Sequence, residues 1–229
     1  MDINTIALTI SVWAVPVLLA ITLHEAAHGW VAWKLGDDTA KRMGRVTFNP
    51  FRHIDLFGTV LLPVIMLFAS GGRMMFGFAK PVPVAFHRLR RPRRDMVLVA
   101  AAGPATNLLL ALASALGFHF LPMLEGDVQR WVGMNLWNSV WINTLLAVFN
   151  MLPLPPLDGG RVAVGLLPRM LALPLARLER VGIFILLAAL FVLPWIGGSI
   201  GMDLNVFRWL ILGPAESLTQ AILSIAGVH

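Results

Sequence analysis

The chain has 229 residues, of which 58% are apolar and only 13% are charged, and its mean hydropathy is +0.77. Soluble domains are nearer half apolar and a quarter charged, so this composition excludes an ordinary soluble protein and predicts an integral membrane protein. The net charge of +6 does not indicate a nucleic-acid partner, because Lys and Arg in a membrane protein usually mark cytoplasmic loops. There is no cysteine, so any metal site must use nitrogen and oxygen ligands.

Long apolar stretches predict an all-α, polytopic bundle of about five to six transmembrane helices. We place the main helices at 3–33, 94–118, 131–152, 178–197 and 204–226, each near or above the length that spans about 30 Å of hydrocarbon. The apolar stretch 56–70 is shorter and contains Pro63. The region near 56–85 is therefore predicted to be a re-entrant or hairpin segment.

The distribution of basic residues predicts how the chain lies in the membrane. Residues 34–55, 71–95 and 159–180 together hold 16 of the 18 Lys and Arg residues. Loops rich in Lys and Arg face the cytoplasm, so these three stretches are predicted to lie inside. With an even number of crossings over 56–85, the N-terminus is predicted outside and the C-terminus inside.

The first apolar helix contains "HEAAH", residues 24–28, which has the pattern H-E-x-x-H. Histidines four residues apart share one face of a helix, so His24 and His28 can bind one zinc ion, with Glu25 beside them to act on water. The alternative is a helix whose polar residues simply face the bundle interior. That alternative requires three ionisable groups in one turn to be satisfied within hydrocarbon without a metal ion.

A catalytic zinc ion takes about three protein ligands, so two histidines require another donor. The best candidate is Asp158 in "FNMLPLPPLDGGR", residues 149–161, whose prolines cannot continue the preceding helix and should leave Asp158 on irregular backbone. The alternative is a turn residue before Gly159 and Gly160. Topology favours a ligand, because the predicted orientations bring His24 and Asp158 to one depth near the cytoplasmic side.

Three motifs resemble those of the site-2 protease family of intramembrane zinc metalloproteases. They are H-E-x-x-H in the first helix, "AAGPATN" at 101–107, and N-x-x-P-x-P-x-x-D-G at 150–159, in the family's order. The resemblance implies that His24, His28 and Asp158 bind one Zn²⁺ and that Glu25 is the catalytic base. It also implies that Asn150 lines the active site and helps to hold the substrate carbonyl.

The same resemblance suggests secondary roles for two further residues. Asn107 is expected near the catalytic centre in a supporting role, with a helix-packing amide as the alternative. The stretches 49–55 and 77–84 resemble a compact bacterial branch of the family, in which His53 either approaches the site or is an interfacial loop residue. The sequence "PVPV" at 81–84 either offers one edge for strand addition by an unwound substrate or is an extended connector.

These observations predict a single membrane-embedded metalloprotease domain over 1–229, with a catalytic core at about 10–165 and additional helices at about 178–226. Neither a PDZ domain nor a nucleotide-sensing domain, both found in other family members, is expected. The expected activity is hydrolysis of transmembrane protein substrates in the bilayer, at the cytoplasmic side of a bacterial inner membrane. The alternatives are a zinc-binding membrane transporter and a catalytically silent relative that binds membrane partners.

Overall fold

A computed structural model of the chain describes residues 3–55 and 80–228, together with the isolated positions 58, 61 and 65. Within these residues the fold is entirely helical and contains no strand, which confirms the predicted all-α class for this part of the chain. The α-helices are α1 (Ile3–Lys34), α2 (Thr39–Arg42), α3 (Pro92–Gly117), α4 (Gly126–Asn150), α5 (Asp158–Leu166), α6 (Arg169–Arg177), α7 (Gly182–Leu187), α8 (Leu193–Ile200) and α9 (Gly213–Ile225). A π-helix at Ala188–Val192 joins α7 to α8, and another at Arg208–Leu212 leads into α9.

Within the described residues, three helical stretches are long and apolar enough to cross a membrane, judged by length and composition. They are Ile3–Lys34, Pro92–Met123 and Gly182–Ile200. Large apolar side chains on these stretches are exposed, including Leu109 at 68% and Trp195 at 73%. Such exposure suits hydrocarbon better than water. The count of five to six membrane helices stays a prediction, and residues 56–79 of the predicted re-entrant segment lie outside the described residues apart from the isolated positions.

The centre of the bundle is built from α1, α3 and α4, which pack against one another, and α5 packs against α3. Small side chains such as Ala20 on α1, Ala111 on α3 and Ala147 on α4 are almost completely buried. Small residues allow helix backbones to approach closely, which is how helices associate where no water drives them together. This close packing places polar groups of three helices within hydrogen-bonding distance of one another.

Helix α9 closes the far end of the bundle against α3 and α4. Ile222 of α9 is buried with Ala111 and Ala115 of α3 and with Val140 of α4. A hydrogen bond links α4 to α9 in this contact, between the hydroxyls of Thr144 and Thr219, 2.7 Å apart. The mostly apolar contact leaves the polar groups of the bundle gathered between α1, α3, α4 and α5.

Candidate metal centre

Two imidazoles and one carboxylate meet in the interior of the bundle. The Nε2 atoms of His24 and His28 on α1 are 3.0 Å apart. The Oδ2 atom of Asp158, the first residue of α5, lies 3.2 Å from the Nε2 of His24 and 3.3 Å from the Nε2 of His28. All three side chains are buried, and together they form a group that could hold a metal ion. The structure thus brings together residues that are 130 positions apart in the sequence.

The backbone before α5 turns tightly and brings Asp158 to the imidazoles. Residues 151–157 form turns and bends after the end of α4. A Cβ atom on Gly159 would overlap the Met151 carbonyl, and one on Gly160 would overlap the Pro155 nitrogen. The two glycines therefore allow the start of α5 to pack directly on the turn. Asp158 begins a helix, which corrects the expectation of irregular backbone at this position.

The rings of the two histidines are held by different partners. His28 Nδ1 lies 2.7 Å from the carbonyl oxygen of Val99 on α3. A carbonyl oxygen can only accept a hydrogen bond, so Nδ1 of His28 carries a proton, and in the neutral imidazole Nε2 is then the nitrogen that can bind a metal ion. His24 Nδ1 lies 2.6 Å from Oδ1 of Asn107, also on α3. Asn107 is therefore in direct contact with an imidazole of the site.

Helix α3 approaches this centre closely at Gly103. A Cβ atom at this position would fall 2.6 Å from Nε2 of His24 and closer still to Nε2 of His28. Real side chains essentially never make such short contacts. The glycine of "AAGPATN" therefore leaves room for both imidazoles beneath the helix, which gives this motif a physical role.

The donor set fits zinc. Oδ2 of Asp158 is buried and has no hydrogen-bond partner among the described residues, although both imidazole nitrogens are close to it. Two nitrogens and one carboxylate oxygen are the ligand types that catalytic zinc takes, at about 2.0 to 2.2 Å from the ion. Ligands at that distance in a tetrahedral arrangement are about 3.3 Å apart, close to the observed 3.0 to 3.3 Å.

Glu25 lies beside the imidazoles and contacts residues 80–85, a segment without regular secondary structure that borders the site. Its Oε2 atom accepts a hydrogen bond of 2.7 Å from the backbone N–H of Val82. In this segment Pro81 and Pro83 have no N–H to donate. The described residues 81–85 form no strand, so strand addition by a substrate stays a prediction. The N–H of Val82 is already used by Glu25, which leaves Val84 as the remaining donor of "PVPV".

Two buried charged residues, whose roles the sequence did not indicate, hold the 80–85 segment in place. Arg45 Nη2 donates to the carbonyl of Lys80 at 2.6 Å. Asp37 accepts a bond of 2.6 Å from the N–H of Ala85. Desolvation acts to raise the pKa of Asp37, but hydrogen bonds from Thr39 and Ala85 outweigh it and hold that pKa below its ordinary value. The side chain of Asp37 therefore stays ionised at neutral pH, and both of its oxygens remain hydrogen-bond acceptors.

A cavity of about 440 Å³ opens beside the centre and is lined by His24, Glu25, His28, Val82, Asn150 and Asp158, among others. Asn150 ends α4, and its Nδ2 donates to the carbonyl of Leu146 at 3.0 Å. One of its two N–H groups thus remains available to the cavity. His53 is not among the residues that line this cavity; it is buried, with Nε2 3.0 Å from the carbonyl oxygen of Thr47. It lies in a loop, directly after the short helix Pro50–Arg52, as one of the two alternatives predicted, and the position of that loop at the membrane interface stays a prediction.

Comparisons with known proteins agree with this geometry. Residues 12–136 and 121–193 match the profile of peptidase family M50. The chain is 38% identical to the "Putative zinc metalloprotease YwhC" of Bacillus subtilis, over 91% of this chain and 93% of that protein. Rip2 of Mycolicibacterium smegmatis has the same descriptive name and is 32% identical over 62% of this chain. That match covers 52% of Rip2, so this chain spans about half of the mycobacterial relative.

Rip3 of Mycobacterium tuberculosis, another relative of that name, is 28% identical over 89% of this chain and 44% of its own length. No solved structure matches the chain significantly. The family match covers more than half of the chain, and the Bacillus relative aligns along nearly all of it. The resemblance predicted from the three motifs is therefore confirmed, and the chain belongs to peptidase family M50, the site-2 protease family of zinc metalloproteases.

Proposed function

We propose that the protein is an intramembrane zinc metalloendopeptidase that hydrolyses peptide bonds within or near transmembrane segments of other proteins. The observation that carries this proposal is the approach of Asp158 Oδ2 to within 3.3 Å of both imidazole Nε2 atoms. A buried group of this composition inside an apolar bundle is costly unless a cation satisfies it. Glu25 adds a carboxylate next to that group, on the wall of the same cavity.

His24, His28 and Asp158 would hold one Zn²⁺. A zinc ion bound there would lower the pKa of a water molecule to about 7 and polarise a substrate carbonyl. With three protein ligands, a fourth position stays open for this chemistry. No cysteine competes for the metal, because the chain contains none.

The residues of the chain then act on the proton and on the developing charge. Glu25 accepts a proton as the water oxygen bonds to the carbonyl carbon of the substrate. The free N–H of Asn150 donates to the developing oxyanion from the cavity wall. Protonated Glu25 next gives its proton to the amide nitrogen, and the carbon–nitrogen bond breaks. The bond from Val82 N–H holds the Glu25 carboxylate in one orientation for both transfers.

The membrane arrangement in this proposal follows the distribution of basic residues and the apolar helices. The chain acts as one catalytic domain over 1–229, with five to six spans in a bacterial inner membrane. The N-terminus lies outside, and the site opens towards the cytoplasmic side. A helical substrate hides its carbonyls in hydrogen bonds, so its cut site must unwind before it enters the cavity. Substrates with Gly, Pro or polar residues near the cut site are therefore favoured.

The test compares the purified wild type with Glu25→Gln in detergent, using Glu216→Gln on the exposed face of α9 as the matched control. Zinc content is measured by elemental analysis, and cleavage is followed on a synthetic transmembrane peptide with a Gly-Pro site. We expect zinc in all three proteins and cleavage in the wild type and Glu216→Gln only, because an amide cannot accept the proton. Zinc in all with cleavage in none, or full cleavage by Glu25→Gln, would contradict the proposal.

A further inference from the structure

Buried polar side chains continue from His24 through α3 into α4. Nδ2 of Asn107 donates to Oδ1 of Asn143 at 2.8 Å and to the carbonyl of Ala20 at 3.3 Å. Nδ2 of Asn143 in turn donates to the carbonyl of Ser139 at 2.9 Å. Asn107 and Asn143 are 0% and 1% exposed, so no bulk water competes for these bonds. The chain of bonds links a proposed metal ligand on α1 to the backbone of α4.

Only one assignment of donors and acceptors is consistent with all the hydrogen bonds of this side-chain network. The carbonyl of Ser139 can only accept, so it requires the NH₂ group of Asn143 and turns Oδ1 of Asn143 towards Asn107. That oxygen and the carbonyl of Ala20 both require the NH₂ group of Asn107. Oδ1 of Asn107 must then face His24. Amide orientation and histidine tautomer are thus assigned from their partners, and two backbone carbonyls determine them.

We propose that Asn107 and Asn143 are positioning residues that hold His24 in the tautomer protonated at Nδ1. The Oδ1 atom of Asn107 accepts a hydrogen bond from that N–H, with 2.6 Å between the two heavy atoms, which leaves Nε2 on the side of Asp158 free to bind zinc. The inference rests on the proposed zinc site and gives His24 its binding-competent form. His28 needs no such network of side chains, because the carbonyl of Val99 accepts a hydrogen bond from its Nδ1–H group.

The two histidines therefore depend on the protein in different ways. The orientation of His28 relies on one backbone carbonyl, which no side-chain substitution removes. That of His24 relies on two amide side chains. Loss of the Asn107 acceptor would let the ring of His24 rotate or carry its proton on Nε2. A protonated Nε2 has no lone pair with which to bind a metal ion. Removing a hydrogen-bond partner of a metal-binding histidine typically lowers metal affinity about 10- to 100-fold.

The inference is tested by the zinc affinity of the full chain in detergent, measured by competition with a chromophoric chelator. The variants are Asn107→Leu, Asn143→Leu and Asn107→Asp. Asn138→Leu is the matched control, because Asn138 also lies buried on α4 and donates to a backbone carbonyl of α1, that of Val12, at 3.0 Å. Asn138 takes no part in the hydrogen-bond network that reaches His24. The unfolding temperature of each variant is recorded alongside.

We expect Asn107→Leu to lower zinc affinity about 10- to 100-fold and Asn143→Leu to lower it by a smaller factor. Asn138→Leu should lower the unfolding temperature as much as Asn143→Leu while its zinc affinity stays that of the wild type. Asn107→Asp should restore most of the affinity, since an aspartate in either protonation state still offers an acceptor to His24. A merely structural role would not separate these variants.

Two results would overturn the inference. One is equal zinc affinity of Asn107→Leu and the wild type, and the other is equal affinity of Asn143→Leu and Asn138→Leu. A wild type that binds no stoichiometric zinc would instead refute the proposed function, which separates the two failures. If Asn107→Leu fails to fold, the comparison of Asn143→Leu with Asn138→Leu and the rescue by Asn107→Asp still decide the matter.

Discussion

Replacing Gly103 with alanine tests how closely α3 must approach the proposed metal centre. The added Cβ would lie 2.5 Å from Cε1 and 2.6 Å from Nε2 of His24, and closer still to Nε2 of His28. Favourable contacts between heavy atoms are about 3.5 to 4.0 Å, so the imidazoles or α3 must move by about 1 Å. Metal–ligand distances tolerate changes of only about 0.2 Å. The substitution should therefore disturb zinc binding directly.

The size of the effect follows from the cost of overpacking. An extra methyl group in a packed interior costs about 1 to 3 kcal/mol. If that strain falls on the zinc-bound arrangement, zinc affinity drops roughly 5- to 150-fold. The intrinsic helix propensity acts the other way, since alanine is favoured over glycine by about 1 kcal/mol in a helix. A loss of zinc affinity without a comparable loss of folding stability is therefore the expected signature.

The matched control is Gly198→Ala on α8, where a Cβ atom would meet no other described residue within 4 Å. Zinc affinity of both variants is measured by chelator competition, and stability by thermal unfolding in detergent. Gly198→Ala should bind zinc like the wild type and unfold at the same or a slightly higher temperature. If Gly103→Ala binds zinc as tightly as Gly198→Ala, the reasoning about close approach is refuted.

Two further predictions concern the segment 80–85. Arg45→Ala leaves the carbonyl of Lys80 without its buried donor and should lower the free energy of unfolding by about 1 to 3 kcal/mol, measured by denaturant titration. The control is Arg42→Ala, because the side chain of Arg42 is 70% exposed. It should change the same free energy by less than about 0.5 kcal/mol. Equal effects of the two substitutions would contradict the anchoring role of Arg45. Folding lowers the pKa of Asp37 below its ordinary value of 3.8. Ionised Asp37 therefore stabilises the fold fully above about pH 3.8, and this stabilisation is lost as the pH falls through the lower pKa of the folded state. Unfolding temperatures between pH 7 and pH 2.5 should therefore fall less steeply in acid for Asp37→Asn than for the wild type, and parallel curves would count against this anchor.

The core of the candidate site could be predicted from the sequence because its determinants are local. The spacing of His24 and His28 places both rings on one helix face whatever the rest of the chain does. The prolines after α4 interrupt the helix and bring Asp158 back to the bundle. The start of α5 could not be predicted, because the prolines before Asp158 indicated irregular backbone and because Gly159 and Gly160 have low helix propensity. They are present for close packing against the preceding turn, which only the folded backbone reveals.

The contact between Glu25 and Val82 could not be predicted, because it joins residues 57 positions apart through a segment without regular structure. The position of this segment depends on its hydrogen bonds with Asp37 and Arg45. At the sequence level, Arg45 counted only as one of many basic loop residues. A buried charge that accepts or donates to backbone groups has no periodic pattern in the sequence. Such anchors are recognised only when their partners are known.

Asn107 shows the limit for a residue that the sequence did single out. The motif predicted a supporting role near the centre, but it did not say which atom of which residue Asn107 contacts. That information lies in the carbonyls of Ala20 and Ser139, which belong to two other helices. Helix packing brings these carbonyls to the amides. The direction of the hydrogen bonds therefore follows from tertiary structure.

The identity of the atoms bound to zinc is the most direct test of the whole account. X-ray absorption spectroscopy at the zinc edge, on the zinc-loaded full chain in detergent, counts imidazole ligands and measures distances from the ion. We expect two imidazole nitrogens and an oxygen-donor shell at about 2.0 to 2.2 Å, and loss or rearrangement of that shell in Asp158→Ala. A spectrum without imidazole scattering, or one that Asp158→Ala leaves unchanged, would contradict the proposed centre of His24, His28 and Asp158.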